Sequence, residues 1–385
     1  AATYPLFHWG PIPWGFYLVL SAAFGFMLHV RKRTRQKYSE ACRPVLGNKV
    51  DGIAGKLIDL IAVFALLAGT ATTFSLATPL LAGAISSVTG IPQSTGLTLV
   101  ILVIVCAIYT FSVYFGMKGV QLSAATCTWL FFGLLAYVFF FGGQTRFIIE
   151  EGITALGNLT QNFIGLATWT DSLRTSSFPQ TWTIFYWAYW MVWCVAVPFF
   201  IGSISKGRTL RQVILGGYVF GLSGTFTSFI IMGNYGLGLQ MHGKLDVLSS
   251  YAADGNLYHA ILDILGQLPL SKAVLVLLVL CMITFYSTSF DSITMVASTY
   301  TYKELKSDEE PHRNVKLFWA IFLILLPLAL IFSENSMSNL QTVSIIAAFP
   351  VGIIMLLIIS SFFKDADFLF LYTDFFSTFC VSCTI

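Results

Sequence analysis

Trp182-Thr183-Ile184-Phe185-Tyr186-Trp187-Ala188-Tyr189-Trp190-Met191-Val192-Trp193 places seven aromatic side chains within twelve residues of a long apolar run. Leu, Val and Ile alone satisfy lipid, so rings at this density need another reason. Several ring faces together hold a cation that has no hydrogen bonds of its own, such as a quaternary ammonium. An aromatic belt at the membrane surface is the competing reading, and composition alone weighs the two evenly.

The surrounding chain fixes the class. Of 385 residues, 56% are hydrophobic and 10% charged, with a mean hydropathy of +0.79. Soluble domains carry about 25% charged residues. The chain therefore reads as an all-α polytopic membrane protein, because a spanning segment must satisfy its backbone polar groups internally. Stretches of roughly 20 apolar residues run near 15–30, 54–80, 97–117, 122–142, 183–204, 213–235, 273–297, 317–333 and 341–363, which predicts about nine transmembrane helices. The less apolar stretch 146–170, with Arg146, Glu150 and Glu151, reads as an amphipathic surface helix. A net charge of +3 gives no reason to expect a nucleic-acid partner. Cys106, Cys127, Cys194 and Cys281 lie in apolar segments and read as buried, inert thiols.

Charge sets the orientation. Arg31, Lys32, Arg33, Arg35 and Lys37 follow span one, Lys118 separates spans three and four, and Lys206, Arg208 and Arg211 follow span five. Lys303, Lys306, Arg313 and Lys316 follow span seven, and Lys364 follows span nine. Alternate loops are basic, so those loops are cytoplasmic. Residue 1 then falls outside the cytoplasm, and the chain reads as beginning within a longer protein.

Three further segments carry polar groups. In Leu6-Phe7-His8-Trp9-Gly10-Pro11-Ile12-Pro13-Trp14-Gly15-Phe16-Tyr17 the prolines suit a helix start, and Trp14 and Tyr17 lie one turn apart on one face. These rings either complete an aromatic box with span five or anchor the helix at the interface. His8 reads as a hydrogen-bonded histidine. In span seven, Phe285-Tyr286-Ser287-Thr288-Ser289-Phe290-Asp291-Ser292 groups hydroxyls and a carboxylate, the oxygens that suit a hard cation such as sodium. Helix packing through Ser and Thr is the competing reading, and it is favoured for Gly69-Thr70-Ala71-Thr72-Thr73-Phe74-Ser75 of span two. Ser205-Lys206-Gly207-Arg208-Thr209-Leu210-Arg211 lacks a phosphate-loop pattern and reads as a topology determinant.

Phe185-Tyr186-Trp187-Ala188-Tyr189-Trp190 followed by Ile204-Ser205-Lys206-Gly207-Arg208-Thr209 resembles the signature of the betaine/carnitine/choline transporter family. His8-Trp9-Gly10 with Pro13-Trp14 and Tyr17 is similar to that family's HWG-x-x-PW-x-x-Y segment. Thr288-Ser289-Phe290-Asp291-Ser292 resembles its TSADS motif, and Asn339-Leu340-Gln341 with Pro350 and Lys364-Asp365 resembles its last helix. The resemblance runs from about residue 5 to about residue 367.

It implies a LeuT-like transporter fold of two inverted five-helix repeats after two extra helices, of which this chain matches spans four to twelve. The opening broken helix of the first repeat is not among them. One transporter domain over 1–367 is expected: 1–142 the remainder of the first repeat, 143–180 an extracytoplasmic loop and amphipathic helix, and 181–363 the second repeat. Residues 368–385 form an atypical apolar tail. By resemblance, Trp9, Trp14, Tyr17, Trp187, Trp190 and Trp193 belong to the substrate path. Phe285, Thr288 and Ser289 match the sodium site of sodium-coupled members. Tyr189 stands where the family usually has Trp. The absence of Lys or Arg between Lys118 and Arg146 argues for sodium coupling, because sodium-independent exchangers of the family place an Arg there.

The implied activity is secondary transport of glycine betaine, choline or carnitine, driven by sodium. No cofactor is needed beyond Na+, and the protein would sit as a homotrimer in a bacterial inner membrane. Sodium-independent exchange and an inactive fragment are the alternatives within the family. A membrane enzyme is disfavoured, because histidines 8, 29, 242, 259 and 312 lie at segment ends or in loops.

Overall fold

The computed structural model of the protein describes residues 1–114, 117–254, 256–306, 309–331 and 337–373, and among these no β-strand occurs. The main helices are α1 (Thr3–His8), α2 (Pro11–Gly25), α3 (Ile53–Thr89), α4 (Thr95–Tyr114), α5 (Met117–Phe141) and α6 (Thr145–Gln161). They continue as α7 (Ile184–Trp193), α8 (Val197–Ile204), α9 (Leu210–Met241), α10 (Leu257–Gly266), α11 (Ser271–Thr299), α12 (Arg313–Ile331) and α13 (Met337–Thr373). Single turns and short helices join them.

Among the described residues, six helical segments are long and apolar enough to cross a membrane, or seven if the bent pair α7–α8 is one span. The sequence predicted nine. The other two segments are helices α4 and α12, and within the residues described they do not meet the same length and hydropathy. Large apolar side chains such as Phe64, Phe111, Trp129, Phe220 and Phe349 are exposed, as a lipid-facing surface requires. The tail 374–385, with Cys380 and Cys383, lies outside the described residues, as do the side chains of Lys118 and of Asn339-Leu340-Gln341.

Three boundaries differ from expectation, each for a local reason. The first span begins at Thr3, not near 15, because α1 and α2 stack across a tight Trp9–Gly10 turn. A Cβ on Gly10 would lie 2.2 Å from the Leu6 carbonyl oxygen, so only glycine fits there. Helix α3 runs nine residues past the predicted end at 80, through Pro79, and stops at Gly90 with φ +77°. The span predicted as continuous over 183–204 is bent by 45° between α7 and α8. Pro198 has no N–H to continue the ladder, and Cys194 and Ala196 bond back to Met191 and Trp193 in tight turns.

The bend positions the aromatic helix. Below it, α8 lies against α2 at backbone distance: a Cβ on Gly202 would meet the Gly25 nitrogen at 2.8 Å. His29 donates from Nε2 toward the Gly202 and Ser203 carbonyls at 3.1 and 3.0 Å. Above it, α7 packs between α2, α3 and α13. Helix α6 is amphipathic, as predicted. Ile148, Gly152, Ala155 and Leu159 form its buried stripe against α1 and α9, and Arg146 pairs with Glu150 outside.

The 205–211 segment serves as a helix start. Gly207 turns at φ +82°, and Thr209 and Gln212 close a capping box at 3.0 and 3.1 Å. Between α2 and α3, Arg31 and Arg33 hold Asp365 of α13, and Arg33 and Arg43 share the buried Glu40. Arg43, and secondarily Arg35, keep the Asp51 carboxyl well below the usual carboxylate range. Burial pushes the neighbouring Cys42 thiol up to about 12, which leaves it inert.

Candidate functional site: an aromatic box beside a hydroxyl-lined cavity

Trp190 is the centre of the box. It is 5% exposed, and its ring centroid lies 5.2 Å from Trp9, 5.7 Å from Trp14 and 4.6 Å from Tyr17. All three pairs are tilted or edge-on, the arrangement ring quadrupoles favour. The gathering follows from local structure. Trp9 caps α1, the prolines start α2 so that Trp14 and Tyr17 share its inner face, and α7 brings Trp190 between them. Helix α9 supplies the support: Trp14 Nε1 donates to Thr225 Oγ1 at 3.1 Å, and the indole lies flat on Gly221. These rings touch one another. The Trp190 Nε1–H is buried without a hydrogen-bond partner.

The space lies next door. A cavity of about 280 Å3 is lined by Tyr4, His8, Trp9, Phe178, Trp182 and Tyr186. Trp9 is the wall between cavity and box, so moving that one ring joins them. His8 holds the rim, bonded through Nε2 to Thr183 Oγ1 at 2.8 Å and stacked 5.1 Å from Tyr186.

The remaining two indoles of the expected substrate path face elsewhere. Trp187 lies 5.4 Å from Phe7, in the cluster that α1 forms with α6. Trp193 packs on Gly69 of α3, where a Cβ would stand 3.3 Å from its Cε2. Tyr189 joins it on that side, its oxygen 2.6 Å from Thr73 Oγ1. Thr73 donates its own proton to the Gly69 carbonyl at 2.9 Å, so the Tyr189 hydroxyl is the donor.

A second cavity of about 300 Å3 is lined by Thr73, Ala77, Met282, Phe285, Ser289 and neighbouring rings. It brings Phe285 and Ser289 together with Thr73. Thr288 is not among its lining residues, and its hydroxyl is shared between the Thr284 and Phe285 carbonyls at 3.1 Å each. Three hydroxyl-bearing residues, Thr73, Tyr286 and Ser289, in an otherwise apolar lining are few oxygens for a hard cation, and the Tyr286 hydroxyl already meets Thr78 at 3.0 Å. In α3, Thr70 and Thr72 likewise bond their own turns, and Thr72 also meets Ser344 at 3.0 Å. Only the Thr72–Ser344 contact is interhelical packing. Among the described residues no group of His, Cys, Asp and Glu could hold a metal ion.

Sequence reasoning missed Gly221, Thr225 and the lining role of Thr73. The signal available was Gly217 and Gly221, one turn apart on α9, which mark a face of close approach against Leu18 and Trp14.

Residues 1–368 match the pattern of BCCT, the betaine/carnitine/choline family transporter. The chain belongs to that family. It is 29% identical over 359 residues, 93% of its length, to a carnitine transporter of Acinetobacter baumannii, and spans 65% of that relative. It is also 27% identical over 365 residues to the Escherichia coli K12 transporter YeaV, covering 94% of this chain and 76% of the relative. The chain thus spans slightly less than two thirds of the length of the first of these relatives. Family membership removes the enzyme reading, since the family is one of transporters.

Proposed function

We propose that this chain is the core of a secondary transporter for a trimethylammonium solute, coupled to sodium. The observation that carries the reading is the contact of Trp9, Trp14, Tyr17 and Trp190 beside a cavity that shares Trp9. A methylated ammonium has no N–H to satisfy, so ring faces in a dry site recognise it, worth about 2 kcal/mol or more when desolvated. The solute enters the cavity, displaces Trp9, and is held by the rings. Trp187 and Trp193 then act by supporting α7 against α1 and α3. The carnitine-transporter relative supports a solute of this class, and glycine betaine, choline and carnitine share the recognised group. The bacterial relatives support a bacterial plasma membrane, and a homotrimer rests on the family resemblance alone.

Sodium coupling draws support from the lack of Lys or Arg between Lys118 and Arg146 and from the cavity of Phe285, Ser289 and Thr73. The second reading, sodium-independent exchange, draws support from the small number of hydroxyls in that cavity and from the inward bonds of Thr288. Uptake of labelled choline into vesicles holding the reconstituted chain separates them. Uptake that needs an inward sodium gradient supports symport. Uptake that needs internal choline and ignores sodium supports exchange. Neither uptake nor choline binding would refute both.

A further inference from the structure

Helices α4 and α12 leave an apolar groove of about 600 Å3 on the outer side of the bundle, lined by none of the aromatic-box residues. Val103, Ala107 and Phe111 of α4 face Leu317, Ile321 and Leu325 of α12 across it. The groove runs from Val103 to Tyr114, eleven residues of helix, or about 17 Å at 1.5 Å per residue. That is about half of the ~30 Å hydrocarbon core, the depth of one leaflet. Tyr114 follows an outer-to-inner helix, and Arg313 belongs to a basic loop, so the groove opens toward the cytoplasmic surface.

A cation stands at that opening. The Arg313 guanidinium lies over the Tyr114 ring, 5.4 Å from its centroid. Arg313 is exposed, and among the described residues it has no ion pair. The neighbouring Lys316 is committed to Glu310 at 3.1 Å. A ring face occupies the plane of a guanidinium and leaves its N–H donors free. The site therefore offers an apolar slot one leaflet deep, capped by an unneutralised bidentate donor.

We propose that this groove holds one phospholipid with an anionic headgroup, its acyl chain against Ala107 and Ile321 and its phosphate on Arg313. Charge decides the occupant: a zwitterionic lipid fills the slot equally well but brings its own cation to Arg313. Phosphatidylglycerol and phosphatidylcholine of matched chains are the probes. The purified chain, stripped of loosely held lipid, is offered an equal mixture and weighed by native mass spectrometry.

The expected result is one retained phospholipid per chain, with phosphatidylglycerol preferred about fivefold, the effect of one interfacial cation. Arg313→Gln abolishes the preference, whereas Arg208→Gln in another cytoplasmic loop preserves it. Ala107→Trp fills the slot from an exposed position and lowers retention of both lipids. Arg313→Lys keeps most of the preference and guards against a folding defect in the Gln variant. Equal retention of the two lipids by the unmodified chain would overturn the proposal, as would a preference that survives Arg313→Gln or retention that Ala107→Trp leaves unchanged. A lipid-free dimer would identify the groove as an interface between copies and also overturn it.

Discussion

Gly221→Ala tests the box from a residue that is not itself aromatic. A Cβ at 221 would stand 2.6 Å from Trp14 Cη2 and 2.7 Å from both Cζ2 and Cζ3. Carbon atoms rest about 3.5 Å apart or more, so the indole must retreat by roughly 1 Å. It has little freedom to do so. Its Nε1–H is tied to Thr225, and Tyr17 and Trp190 stand behind it at 6.1 and 5.7 Å. Overpacking of this kind costs about 1–3 kcal/mol. A box ring driven toward Trp190 resists the separation of the rings that a methylammonium needs to enter. We expect tetramethylammonium to bind about tenfold more weakly, a loss of ~1.4 kcal/mol. Isothermal titration of the purified variant reads this directly. Gly224→Ala is the control, because a Cβ there meets nothing within 4 Å. It should bind normally and gain up to about 1 kcal/mol of helix stability. Unchanged affinity in Gly221→Ala, or an equal loss in both variants, would refute the packing argument.

Other expectations concern single contacts. Tyr189→Phe removes the donor to Thr73 and should cost about 1 kcal/mol, read as a lower melting temperature; pairing it with Thr73→Val should recover a coupling of similar size, and full additivity would deny the bond. Asp365→Asn leaves Arg31 and Arg33 without their shared carboxylate at 10% exposure and should cost about 1–2 kcal/mol, with faster proteolysis near residue 365. In the loop between α6 and α7, Asp171 accepts from Ser176, Thr175 and Ser177, which lowers its carboxyl well below the usual range. The depressed value means the loop's order is fully present above the ordinary carboxylate pKa of about 3.9 and is lost only as pH falls through the lower, folded value. Amide exchange at residues 175–177 should stay protected at about pH 3, and Asp171→Asn should abolish that protection at neutral pH.

How much of this was legible in the sequence depends on whether a feature is local. Apolar length anticipated the long helices among the described residues, because lipid acts on each segment separately. The ring cluster was legible in part. Trp14 and Tyr17 share a face by spacing alone, and Trp190 joined them through the family motif. Spacing could not assign Trp187 and Trp193, since a ring at a given helical angle meets whichever neighbour the bundle supplies. Trp187 meets α1 and α6, and Trp193 meets the gap left by Gly69. Thr288 was similarly ambiguous: a helical threonine can turn its hydroxyl to its own carbonyls as readily as to a cavity. The bend at Cys194–Ala196 was present in the sequence as Pro198. An unbroken apolar run outweighed it, although a proline governs local hydrogen bonding more strongly than hydropathy does.

The central claim is that the rings around Trp190 recognise positive charge as well as shape. The measurement that tests it is the ratio of dissociation constants for choline and its uncharged isostere 3,3-dimethylbutan-1-ol, on the purified chain and on Trp190→Leu. The two ligands match in size and hydroxyl and differ in the central atom. The account predicts that choline binds at least tenfold more tightly, ~1.4 kcal/mol or more, and that Trp190→Leu brings the ratio close to one. Equal binding of both ligands by the unmodified chain, or a choline preference that survives Trp190→Leu, would contradict it.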